Sequence, residues 1–120
     1  MANEITLSAS LAASKGGASV SGSGSTTLSL SGTEMAAIVQ NMSTTGAAID
    51  VGGCDQNQAI LIKNLDAAIA VTVGLVNGNP PTQVVSVIPA GGVVLLTGVG
   101  TLYGASASGT PDIFIVTVET

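Results

Sequence analysis

The sequence predicts an all-β protein: a single-domain antiparallel β-sandwich, jelly-roll-like, of about eight strands, with a Ser/Gly-rich N-terminal arm or hairpin. Three observations carry this. Val, Ile, Thr and Leu dominate the periodic segments, whereas Gly, Pro, Asn and Ser dominate the breaks between them, the pattern of short strands joined by turns. Sustained helical periodicity is missing. A chain of 120 residues supports one core, and two would each be marginal.

From the N-terminus, residues 1–31 form the arm and residues 32–120 the sandwich domain. Ile5, Leu7, Ala9 and Leu11 alternate before a Ser/Gly-rich stretch, SKGGASVSGSGS, and Leu28 and Leu30 follow it. This layout predicts a hairpin with a long tip, or an arm that adds strands to a neighbouring sheet. A disordered tail would not need the alternation, so Ile5, Leu7, Leu11, Leu28 and Leu30 are the expected interface residues. Removing residues 1–24 is expected to leave the sandwich folded and to weaken assembly.

MAAIVQNM, residues 35–42, contains helix-favouring Ala, Met and Gln, but the Ser-Thr-Thr-Gly break after it and the resumption at Ala48-Ile49-Asp50-Val51 favour a strand. Residues 59–64 and 69–75 are two aliphatic runs, joined at Asn64-Leu65-Asp66, that read as an apolar hairpin. Asn and Asp suit that joint because they tolerate left-handed backbone and bond their own main chain. Asn77-Gly78-Asn79-Pro80-Pro81 then breaks the chain. Residues 83–88 form the next strand, ended by Pro89 and turned by Ala90-Gly91-Gly92 into residues 93–97. Gly98-Val99-Gly100 leads to residues 101–107. The last strand spans residues 112–119, with Ile113, Ile115 and Thr117 on one face and Phe114, Val116 and Val118 on the other. Two apolar faces mark it as a central or interface strand. The expected core is Leu61, Ile69, Val71, Val73, Val94, Leu102, Ile113 and Ile115.

Composition narrows the function. Charged residues make up 8%, against roughly 25% in typical soluble domains. Such a surface of Ser, Thr, Ala and Gly implies cover by other protein, and so an oligomer or assembly component. With a net charge of −5 and only Lys15 and Lys63 positive, no basic patch exists for nucleic acid or for anionic membrane headgroups. No apolar run reaches the ~18 residues of a membrane span. MANEITLSAS lacks the basic and apolar regions of a signal peptide, so synthesis in the cytoplasm is expected.

Candidates for chemistry are few. Asp50 and Asp55 flank Gly52-Gly53-Cys54 without the dense oxygen spacing of a calcium loop, so a solvated turn is the expectation. Gly22-Ser23-Gly24 and Gly98-Val99-Gly100 lack the context of a dinucleotide fingerprint and read as turns. His is absent, and neither Lys lies in a motif that would activate a serine. Cys54, with no basic neighbour in sequence, reads as an inert small residue. Asn41-Met42-Ser43 is a formal glycosylation sequon, without meaning in a chain lacking a secretion signal. Lys63 and Asp66 could pair across their turn, but turn formation by Asn64 and Asp66 is the better reading. No enzyme activity, catalytic residue, metal or cofactor is expected.

Read together, MAAIVQNMSTTGAAIDVGG, ILIKNLDAAIAVTVGL, VIPAGGVVLL and TLYGASASGTPDIFIVTVE resemble small structural proteins of tailed bacteriophages and prophages. Asn64, Leu65, Asp66, Val73, Gly74, Pro89, Gly91, Leu102 and Tyr103 fall on that pattern, which spans about residues 35–119. At Gly104 the pattern more often has Ala. The resemblance implies a virion component, chiefly a capsid decoration (cement) protein bound to the major capsid protein. It implies a homo-oligomer too, with a trimer preferred because decoration proteins often occupy three-fold positions. The alternative is a tail, baseplate or fibre-associated structural or receptor-binding module. Against sugar recognition stands the scarcity of aromatic rings, which are limited to Tyr103 and Phe114.

Overall fold

The computed structural model describes residues 5–29, 35–52, 54 and 58–119, and within them the chain is all-β, without helix. Its ten strands are β1 (Ile5–Lys15), β2 (Ala18–Leu28), β3 (Met35–Asn41), β4 (Ala47–Ala48), β5 (Gln58–Asn64), β6 (Val71–Val76), β7 (Thr82–Ile88), β8 (Val93–Val99), β9 (Tyr103–Ser106) and β10 (Asp112–Glu119). β1 and β2 form a two-stranded ribbon, and the others form two four-stranded sheets in the orders β3-β10-β5-β8 and β4-β9-β6-β7. Every pairing is antiparallel. The count exceeds the expected eight because the ribbon contributes two strands of its own. The boundary expected between residues 31 and 32 lies outside the described residues, as does Leu30.

Alternation builds the sandwich. On β10 the odd residues Ile113, Ile115 and Thr117 are buried, and β10 is central, flanked by β3 and β5, as its two apolar faces predict. Ile115 stands opposite Ile38 on one side and Ile62 on the other. Ile60, Ile62, Ile113 and Ile115 from this sheet meet Val71, Val73 and Ile88 from the other in one core, closed by Met42, Ile49 and Leu102. Of the expected core, Val71, Val73, Leu102, Ile113 and Ile115 are buried, and Val94 packs against them half-buried. Leu61 is the exception of principle. It sits between buried Ile60 and Ile62, so the pleat turns it to the outer face. Ile69 is half-buried just before β6.

Six of the seven connections from β3 to β10 cross between sheets, and only β6 and β7 form a hairpin. The apolar run of residues 59–75 is therefore an arch rather than a hairpin. Its two halves face each other through the core instead of lying side by side, and alternation satisfies either arrangement equally. The same holds for β7 and β8.

Asn64 supports both arches. It is fully buried, and its Nδ2 donates to the carbonyls of Ile69 at 2.7 Å, Ile88 at 3.2 Å and Pro89 at 3.2 Å. Its Oδ1 accepts the Asp66 N–H at 3.0 Å. The Asp66 carboxylate accepts the N–H groups of Ala68 and Ile69 at 2.7 and 2.9 Å, so turn formation is what this carboxylate does. One side chain thus satisfies backbone groups of the β5–β6 and β7–β8 connections together.

Gly104 on β9 packs closely beneath the core. A Cβ there would lie 2.8 Å from Met42 Sδ and 3.3 Å from Ile49 Cδ1. Gly104→Ala is therefore expected to lower stability by about 1 kcal/mol, because Met42 is buried and must shift to admit the methyl group. Urea denaturation checks this, and an unchanged midpoint would show that Met42 repacks freely.

Candidate interaction surface

The ribbon is closed by Gly16 and Gly17, with φ of 59° and 85°, the two positive values that a two-residue hairpin turn of type I′ requires. The Ser/Gly-rich stretch expected as the long tip of a hairpin, or as part of an arm, is mostly strand, paired residue for residue from Ile5↔Leu28 to Lys15↔Ala18. Gly22-Ser23-Gly24, expected as a turn, lies within β2. Small residues of low strand propensity are held there by the pairing that the turn sets.

Strand alternation gives the ribbon two different faces. Ile5, Leu7, Ala9, Leu11 and Ala13 share one with Val20, Gly22, Gly24, Thr26 and Leu28, while the other is almost wholly Ser and Thr. Ile5 is buried at the base, and Leu7 and Leu28 are half-buried. From Ser8 to Thr27 every residue is exposed, with Leu11 at 75% and Val20 at 68%. Of the expected interface residues, then, Ile5, Leu7 and Leu28 anchor the ribbon, and Leu11 presents itself outward.

The second apolar surface was not singled out from sequence. The pleat that buries Ile113 and Ile115 turns Phe114, Val116 and Val118 to the outer face of the β3-β10-β5-β8 sheet. The register places Leu61 beside Val116, and Val39 beside Phe114. Met35, Val39 and Val93 on that face are 62%, 58% and 61% exposed. Its signal lay in the doubly apolar pattern of residues 112–119. Between the ribbon base and this sheet lies an open cleft of about 250 Å³, lined by Ile5 and Leu7 on one side and by Leu61, Leu95, Val116 and Val118 on the other.

The groups considered for chemistry sit elsewhere. Cys54 is buried, with the Thr117 hydroxyl 3.4 Å from its sulfur. Asp50 accepts the Gly52 N–H at 2.9 Å within a turn, while Asp55 lies outside the described residues. Gly98, with φ of 69°, falls near the end of β8 rather than in a turn. Asn41 of the formal sequon donates to the Thr110 carbonyl and the Asp112 carboxylate. Among the described residues no three His, Cys, Asp or Glu side chains gather to hold a metal, and no helix is long and apolar enough to cross a membrane. What the arrangement offers among the described residues is exposed apolar area. No family model matches the chain, and neither the curated proteins nor the solved structures contain a match.

Proposed function

We propose that this chain is a virion structural protein of a tailed bacteriophage or prophage, a capsid decoration protein that binds the major capsid protein as a homo-oligomer, with a trimer preferred. The observation that carries the reading is the uncovered apolar surface: an exposed ribbon face and an exposed sheet face on a chain with 8% charge. Isolated soluble domains rarely leave such surfaces in water. Burial at ~25 cal/mol per Å² of apolar area, repeated over many copies, would stiffen a shell without any chemistry.

The strand order supports the same reading. Counting β3 as first and β10 as eighth, the sheets run first-eighth-third-sixth and second-seventh-fourth-fifth. We read this as the two interleaved Greek keys of a jelly roll, an architecture common in viral capsid proteins.

Particles released from cells that carry the gene test the function, with antibody against the chain applied to intact virions in the electron microscope. Label over the head surface is the expected result. Label confined to the tail would favour the tail or fibre module, and absence from purified particles would overturn the virion reading.

Removing the ribbon adds a second test. Residue 24 falls inside β2, so the informative truncation begins at residue 30. The core draws no residue from the ribbon, and the truncated sandwich is expected to fold with a loss of ~1–2 kcal/mol from the burial of Ile5. Binding to heads is expected to fall. A truncated chain that binds unchanged would make the ribbon dispensable, and one that cannot fold would make it part of the domain.

A further inference from the structure

We infer that the ribbon of one copy lies across the outer face of the β3-β10-β5-β8 sheet of a second copy, with its Leu11, Val20, Gly22 and Gly24 face turned inward. This deepens the oligomer reading above and concerns copies of this chain alone, so it stands or falls separately from attachment to a shell.

The first argument is the cleft that one chain already forms. At the ribbon base, Ile5 and Leu7 line one open cleft together with Leu61, Leu95, Val116 and Val118 of the sheet's outer face. Leu11 belongs to the same ribbon face as Ile5 and Leu7, and Val39 and Phe114 belong to the same sheet face as Val116. The two surfaces are therefore matched in kind, yet within one chain both are left largely uncovered, with Leu11 at 75% and Val39 at 58% exposure. A second copy covers both at once. Ribbon pairing with ribbon would leave the sheet face bare.

The second argument is the glycines. Glycine inside a strand costs stability and marks a place where another backbone or side chain approaches closely. In the single chain nothing lies within 4 Å of a Cβ built at Gly22 or Gly24, so the chain itself makes no use of the space. Laid on a neighbour's sheet, those gaps admit the large side chains that stand up from it, Met35 and Phe114.

Area and charge agree. About eight ribbon residues per strand lie beyond the base. At ~3.4 Å per residue and ~4.8 Å between strands, they give a face of roughly 260 Å². Four such faces in a reciprocal pair bury about 1,000 Å², which reaches the ~1,000 Å² expected of a specific interface, so the area argument selects a pair rather than the trimer preferred above. Among the described residues the charges on these faces are Lys15 at the ribbon tip and Lys63 and Asp112 on the sheet, so little charge loses water on contact, and Lys15 is opposite in sign to Asp112. A two-stranded ribbon alone is marginal in water, and a neighbour's sheet supplies the second layer it lacks.

Directed disulfide formation between two variants of the full-length protein tests the geometry. Val20→Cys and Val39→Cys chains of different tag length are mixed and oxidised, with Cys54 left in place because it is buried. The expected result is a mixed dimer forming about tenfold or more faster than with the control Val84→Cys, since docking raises the effective concentration of the pair. Val84 is also exposed, at 53%, but on the other sheet. Equal rates would overturn the inference. Sedimentation equilibrium supplies the second readout: Leu11→Asp is expected to shift the oligomer to monomer with an unchanged far-ultraviolet spectrum. A wild-type monomer, or an oligomer indifferent to Leu11→Asp, would also overturn it. Absence of the chain from virions would remove the decoration reading and leave this one intact.

Discussion

Asn64→Ala is expected to lower the stability of the folded chain by about 4 kcal/mol or more, the largest loss from any single polar side chain here. The side chain is fully buried and is shared by two connections. Its removal leaves the Asp66 N–H without its acceptor and takes a donor from the carbonyls of Ile69 and Ile88, while the Pro89 carbonyl keeps the Gly92 N–H at 2.8 Å. Each buried group left unsatisfied costs ~1–3 kcal/mol, and the methyl group of Ala cannot fill the space of the amide. Total stabilities of domains run to ~5–15 kcal/mol, so much of the protein would be unfolded on modest heating.

Asn64→Asp separates the donor role from the acceptor role. Aspartate still accepts the Asp66 N–H, but in its ionised form it offers no hydrogen to the three carbonyls that the Nδ2 of Asn64 now serves. Burial beside carbonyl oxygens raises the folded-state pKa of such an acid above its unfolded value of ~3.9. The folded state then holds a proton that the unfolded state has released. Relative to wild type, the variant is expected to lose stability as pH rises from about 4 to that raised value, and to stay low above it. Urea midpoints of both proteins across this range check the claim, and a difference independent of pH would mean that the amide donor is not what matters.

The same residue shows how far the sequence could be read. Asn64-Leu65-Asp66 is recognisable as a turn from composition, and its flanks as strands from their β-branched residues, because these are local properties. Whether the strands pair or face each other is not local. Ile60, Ile62, Val71 and Val73 bury their side chains in either arrangement, and what separates the two is the pairing of β5 with β8 and β10, strands distant in the chain. For the ribbon the obstacle was different. Ser and Gly repeats carry little strand propensity, so the pairing of Ser14 with Ser19 or Leu11 with Gly22 follows from the Gly16-Gly17 turn rather than from the strands themselves. Leu11 was legible as an interface residue through its alternation with Leu7. Met35, Val39 and Val93 were not, because their strands read as ordinary sandwich strands until the pleat of β10 showed which side faces outward.

That pleat makes the second large prediction. Ile115→Ala is expected to cost ~3–4 kcal/mol, and Val116→Ala, one residue along the same strand, about 1 kcal/mol. Ile115 is completely buried on the central strand, with Ile38 and Ile62 as its lateral neighbours. Its truncation opens a cavity whose walls belong to two sheets and cannot readily collapse. Val116 faces outward and is half-buried, so its loss removes some area from water without emptying the core. The comparison belongs in the chain truncated to begin at residue 30, where neither the ribbon base nor a neighbour's ribbon covers Val116. Urea denaturation with a common slope gives both costs. If the ribbon of a second copy lies on this face as inferred, the cost of Val116→Ala in the full-length chain is expected to rise toward that of a buried valine, because Val116 lines the cleft beside Ile5 and Leu7 that such a ribbon would extend. Equal costs for the two substitutions in the truncated chain would mean that the inner and outer faces of β10 are wrongly assigned, and with them the apolar surface that the proposed assembly would use.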